Sequence, residues 1–240
     1  MRNVAPRPAL TARGITYLNT KTVLITGSAT PKETAETIYS RARKTKLFLE
    51  TVVTTLQHLA GVGERCLYCG SSEASQVDHF KPKANFPEAA MTWENFIWIC
   101  GVCNQNKGNQ YPSDSALNPL LINPIDEDIW QSFSLDRFGF MLPRWDIGLN
   151  DLNVKAKVTE ATIKLNRQAV QEARNLRIRQ LETCVHDCIL LSGYGHLSAI
   201  EKDQRMRAWI DFPFHPEVPQ YFLQKEGMCE EPFATFLNLP

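Results

Sequence analysis

The chain has 240 residues, 43% of them hydrophobic and 22% charged, with 26 Lys and Arg matched by 26 Asp and Glu. That length suits one large domain or two small ones, and the composition excludes a disordered chain. A formal net charge of zero argues against coating nucleic acid by bulk charge, although a local basic patch remains open.

No apolar run approaches a membrane span, and Val23-Leu24-Ile25 is too short for a signal segment behind Arg2, Arg7 and Arg13. A cytoplasmic location with no membrane association is therefore expected. There, seven cysteines with four in two Cys-x-x-Cys pairs read as metal ligands rather than disulfides.

Residues 1–30 read as irregular, with Pro6 and Pro8 early and one short strand at Thr22–Thr26. They form a loosely held arm or one that packs on a partner. A helix is predicted from Thr30, with Pro31 at its first position and Glu33 completing a capping box. Ile38, Ala42, Leu49, Val52, Val53, Leu56 and Leu59 continue it, and Gly61 and Gly63 end it. Arg41, Arg43, Lys44 and Lys46 make a basic patch on this helix, read first as a solvated face and second as a phosphate contact.

Residues 112–150 read as loops with one hairpin. From Asn153 a helical stripe runs through Val158, Ala161, Leu165, Ala169, Ala173, Leu176, Leu181, Val185, Cys188 and Leu191, with Asn166 as a cap within it and Gly193 and Gly195 as stops. Residues 153–180 hold seven Lys or Arg against two Glu, while Asp211 to Pro240 is acidic. This unevenness favours a basic groove on one side.

The chemistry concentrates between Cys66 and Lys107. Cys66-x-x-Cys69 and Cys100-x-x-Cys103 each offer two thiolates at knuckle spacing, and together they fit a closed tetrahedral zinc site that is structural. Thirty residues lie between the pairs, which requires a structured insert. Asp78-His79 sits in that insert at a strand end, followed by Lys81-Pro82-Lys83, which adds charge and breaks the strand. Neighbours on a strand face opposite ways, so Asp78 and His79 meet one substrate only at a twist or turn. Asn95 is the polar exception in Trp93–Cys100, and Asn104 and Lys107 open a short helix. Trp93 and Trp98 read as core. Cys184 and Cys188, with His186 between them, read as packing residues, and Cys229, His58, His196 and His215 carry no motif.

This stretch resembles the HNH endonuclease family and its ββα-metal hairpin, on Cys66-x-x-Cys69, Asp78-His79, Asn95, Cys100-x-x-Cys103-Asn104 and Lys107. Asn104 stands where some members carry His. Short outer strings resemble the PtuB family, HNH subunits of Septu anti-phage systems that also occur with some retrons. They are Met1-Arg2, Asp78-His79-Phe80-Lys81-Pro82-Lys83, Lys107-Gly108, Leu121-Ile122-Asn123-Pro124 and Thr162–Arg167.

The resemblance implies a mainly α fold carrying a zinc-stapled ββα-metal hairpin, divided as 1–63, 64–112 and 113–240. It implies a catalytic Mg²⁺ or Mn²⁺ between Asp78 and Asn104, and His79 as the base. It also implies Asn95 as the organiser of the hairpin, and phosphate contacts from Lys81, Lys83 and Lys107. The implied partners are a nucleic acid substrate, an ATPase resembling PtuA, and a retron reverse transcriptase with its nucleic acid. A non-catalytic zinc-stapled binding module and a stand-alone restriction-type nuclease are the competing readings.

Overall fold

The structure is a computed structural model that describes residues 7–61, 63–71 and 74–193, together with 198, 200, 201 and 204. Gly195, the acidic tail from Asp211, and His196, His215 and Cys229 lie outside the described residues. So do the side chains of Leu181, Cys184, Val185, His186, Cys188 and Leu191.

Where an irregular arm and a strand were expected, helix α1 spans Ala12–Thr26. Its threonines give β-propensity to the sequence, but in the helix their hydroxyls bond back to the preceding turn. Thr20 donates to the carbonyl of Thr16 at 2.8 Å and Thr22 to that of Leu18 at 3.1 Å. Residues before the helix fold inward. Arg7 donates to the carbonyls of Trp93 and Phe96, and the Trp93 indole donates to the carbonyl of Pro8.

Helix α2 spans Pro31–Ala42. The expected capping box does not form, because Thr30 makes no side-chain cap bond and Ser28 bonds Thr34 instead. The expected continuous helix to Gly61 breaks at residues 43–45. There the Thr45 hydroxyl donates to the carbonyl of Ala42 at 2.8 Å and accepts from the amide of Phe48 at 3.3 Å. This restarts the chain as α3 (Lys46–Phe48), a π turn (Leu49–Val53) and α4 (Thr54–Ala60). Gly61, at φ +72°, ends it.

Strand β1 (Ala74–His79) pairs antiparallel with β2 (Phe96–Cys100), and α5 (Gly101–Lys107) follows directly. All five residues of β2 are buried, and Phe48, Val52 and Leu56 join its apolar residues in one core.

Residues 112–150 hold the hairpin β3 (Phe133–Leu135) with β4 (Met141–Pro143). A second pair, β5 (Trp145–Asp146) with β6 (Asp151–Leu152), was not foreseen. Helix α6 (Val154–Ile163) is capped by Asn153, and α7 spans Gln168–Gly193. Asn166 caps neither helix: its amide bonds both backbone groups of Met141, at 2.8 and 2.9 Å.

A left-handed Lys164 (φ +56°) between α6 and α7 shifts the helical phase. Ala169 and Leu176 of the expected stripe therefore face solvent, as Ala161 of α6 also does, and Val170, Arg174 and Ile178 form the buried face of α7. Arg174 donates there to the carbonyls of Gly139 and Leu165. The described chain thus mixes helices with three two-stranded sheets. None of its described helices is long and apolar enough to cross a membrane.

Candidate active site

Two tight turns bring the cysteines together. The first closes when the amide of Gly70, at φ +77°, bonds the carbonyl of Cys66 at 2.8 Å and the Cys66 amide bonds Ser71 at 2.9 Å. Leu67 then bonds the carbonyl of Trp98 at 3.0 Å, which places this knuckle beside β2. In the second, Cys100 ends β2 and caps α5, its sulfur accepting from the Cys103 amide at 3.4 Å. The four sulfurs lie within 4.8 Å of one another, all four residues buried. Sulfurs about 2.3 Å from one zinc at tetrahedral corners would stand about 3.8 Å apart. Cys69 and Cys100 are 3.7 Å apart, so the set fits a zinc ion. Burial pushes the Cys66 thiol up, whereas hydrogen bonds from Cys100 and Cys103 pull Cys69 down. Four crowded thiols of unequal acidity are an arrangement that a metal would relieve.

A β-bulge between Ala74 and Gln76 twists β1, and at its far end Asp78 and His79 both line one cleft of about 590 Å³. The cleft walls include Tyr39 and Arg43 from the α2 region, Gln76, Lys83 and Asn104. Asp78 and His79 are 9% and 5% exposed. Burial raises the Asp78 carboxyl, opposed by the ammonium of Lys107, whose Nζ lies 3.0 Å from Asp78 Oδ2. Lys107 also donates to the carbonyl of His79 at 2.6 Å.

The His79 Nε2 lies 2.9 Å from the carbonyl of Ala90. A carbonyl only accepts, so Nε2 carries the proton and Nδ1 holds the free lone pair. Burial lowers the His79 pKa to about 4, with the Ala90 bond opposing. The ring is therefore neutral near pH 7.

Asn95 closes the loop between the strands. Its Oδ1 accepts from the amide of Lys81 at 2.7 Å, and its Nδ2 donates to the carbonyls of Lys81 and Ala89. Ala89 adjoins the Ala90 carbonyl that holds His79. Asn104 shares the cleft, but its Nδ2 donates to Gln76 Oε1, at 2.7 Å, and not to Asp78. Lys83 lines the cleft and pairs with Glu36 at 2.8 Å. Lys81 is exposed, lies outside the cleft lining and stands over the Phe86 ring. Lys107 is fully buried, so its ammonium faces Asp78 rather than solvent.

The structure thus brings Asp78, His79, Lys83 and Asn104 to one cleft, with Asn95 and Lys107 behind it. Tyr39 and Gln76 were not foreseen: no motif marks them, and only tertiary packing brings α2 to the cleft.

Residues 66–110 match the family model of the HNH endonucleases. The chain carries an HNH endonuclease domain. Its HNH unit is β1, β2 and α5. The chain is 28% identical over 108 residues to the Septu protein PtuB of Bacillus thuringiensis, covering 43% of this chain and 37% of that protein. It is 30% identical over 127 residues to a candidate HNH endonuclease of retron Vc95 from Vibrio cholerae, covering 50% and 60%. It is also 30% identical over 73 residues to protein ea31 of Escherichia phage lambda, covering 30% and 25%. The chain thus spans between 25% and 60% of the length of these curated relatives.

Proposed function

We propose that this protein is a metal-dependent endonuclease that hydrolyses phosphodiester bonds, with DNA favoured over RNA. We further propose that it is the nuclease effector of a Septu-type anti-phage complex in the cytoplasm, beside an ATPase resembling PtuA. Two relatives, one a Septu protein and one of a retron, support the defence reading. A retron reverse transcriptase and its nucleic acid are further candidate partners. The fold we infer is a mainly α frame, residues 1–63 and 113–240, around a zinc-stapled nuclease core at 64–112.

One observation carries the catalytic reading: a neutral His79 held through Nε2 by the Ala90 carbonyl, in a cleft shared with Asp78 and Asn104. In this reading Nδ1 takes a proton from a water as that water's oxygen attacks phosphorus. The phosphorus–oxygen bond to the 3′-oxygen breaks, leaving a 5′-phosphate and, once protonated, a 3′-hydroxyl. The oxygens of Asp78 and Asn104 suit Mg²⁺ or Mn²⁺. Such an ion, when bound, supplies positive charge where negative charge develops. Lys107 keeps the Asp78 carboxylate ionised and aimed, Asn95 fixes the loop that holds His79, and Lys83 and Lys81 attract phosphates. The cysteine zinc has no open position and serves the fold.

The test is the chemistry of the cut ends. Plasmid DNA and total RNA are incubated with the protein and Mg²⁺, with and without the neighbouring ATPase. Nicks in plasmid that DNA ligase reseals without prior phosphorylation support the mechanism. Ends that need a kinase or a phosphatase before resealing overturn it.

A further inference from the structure

Arg167 stands just beyond the left-handed turn at Lys164, far in sequence from the nuclease unit. Its Nη1 lies 3.7 Å from Cys103 Sγ and its Nη2 lies 3.9 Å from Cys100 Sγ. One planar guanidinium thus faces both sulfurs of the second knuckle, a fork that suits two acceptors at once. Nη1 also reaches the carbonyl of Lys164 at 3.3 Å, which ties the side chain to its own turn. Beside it, Asn106 of α5 donates to the carbonyl of Ile163 at 3.0 Å, docking the helix that carries Cys103 onto the end of α6.

Charge makes this placement consequential. Four thiolates around one zinc leave a net charge of about −2. All four cysteines are buried to 2% exposure or less, and buried charge without compensation is costly. The Cys103 amide supplies a neutral donor to Cys100. Arg167 supplies a full positive charge at hydrogen-bond range of two of the four sulfurs.

We propose that Arg167 is the counter-charge of the cysteine centre: its guanidinium donates to the zinc-bound sulfurs of Cys100 and Cys103 and sets how tightly the site keeps its metal. The proposal does not depend on the nuclease reading. It gives the segment after α6 a direct hold on the metal knuckle that begins α5, the helix bearing Asn104 and Lys107.

The test is zinc competition on the full chain against the chromophoric chelator 4-(2-pyridylazo)resorcinol, with wild type, Arg167→Met, Arg167→Gln and Asn106→Ala. Loss of a group that tunes metal ligands typically costs about 10- to 100-fold in affinity, and that loss is expected for both Arg167 variants. Glutamine keeps a donor without the charge, and carries the test if the methionine variant does not fold. Asn106→Ala removes the docking bond and leaves the sulfur contacts, so its zinc affinity should stay near wild type. With Co²⁺ in place of zinc, the sulfur-to-metal charge-transfer band should move in the Arg167 variants and not in Asn106→Ala. Wild-type affinity in a folded Arg167 variant overturns the proposal. So does an equal loss in Asn106→Ala, which would assign the effect to docking rather than charge.

Discussion

The ring of Tyr39 stands edge-on to the imidazole of His79, with centroids 4.4 Å apart and planes at 70°. Tyr39 belongs to α2, outside the matched residues 66–110. Its hydroxyl donates to the carbonyl of Val77 at 2.9 Å, which fixes the strand two residues before His79. The helical frame therefore buttresses the proposed base directly.

Tyr39 also predicts an alkaline signature. Burial, with the nearby Asp78 charge adding, raises its pKa from 10.0 to about 12. A raised folded-state pKa gives stability that is complete below the unfolded value and lost as pH climbs through the folded one. Urea midpoints of wild type should fall between pH 10 and 12. Tyr39→Phe should lower stability by about 1 kcal/mol at neutral pH, through the lost Val77 bond. It should also lose less stability than wild type across the alkaline window. Equal pH slopes in the two proteins would refute the assignment.

The buried pair of Lys107 and Asp78 gives a second prediction. Removing one partner of a buried ion pair strands the other, at a cost of about 3–5 kcal/mol. Lys107→Met should destabilise by about that much. Adding Asp78→Asn should recover part of the loss, so that the double variant is more stable than the sum of the singles implies. Strict additivity in denaturant unfolding would show that the two groups do not interact.

The cysteine cluster predicts coupled loss of metal and structure. Cys69→Ser should bind no stoichiometric zinc by metal analysis, and protease should cut it first within residues 64–112. Chelation of the wild type should produce the same cleavage pattern. A zinc-free variant as resistant as wild type would remove the staple from the account.

These predictions rest on features of unequal legibility. Cys66, Cys69, Cys100 and Cys103 were readable because two ligands from one knuckle need fixed local spacing. His79 and Asn95 drew attention because they lie within the insert that the knuckles bracket, where His79 lines the cleft and Asn95 closes the loop. Helix α1 was not legible: Thr20, Thr22 and Thr26 resemble a strand until their hydroxyls find carbonyls one turn back. The stripe failed at Ala169 and Leu176 because the turn at Lys164 resets the phase of the following helix, and a periodicity count runs straight through such a turn. Lys107 was expected to contact phosphates, because charge alone does not reveal that it is buried against Asp78. Tyr39 and Arg167 reach the site through tertiary contacts, for which spacing holds no signal.

The most direct measurement is cleavage of plasmid DNA in Mg²⁺ by zinc-loaded wild type beside His79→Ala, each alone and with the neighbouring ATPase. The account predicts that wild type cuts, and that the variant keeps its zinc while losing at least about 100-fold in rate, the usual contribution of a positioned base. Cleavage by His79→Ala at the wild-type rate would contradict it.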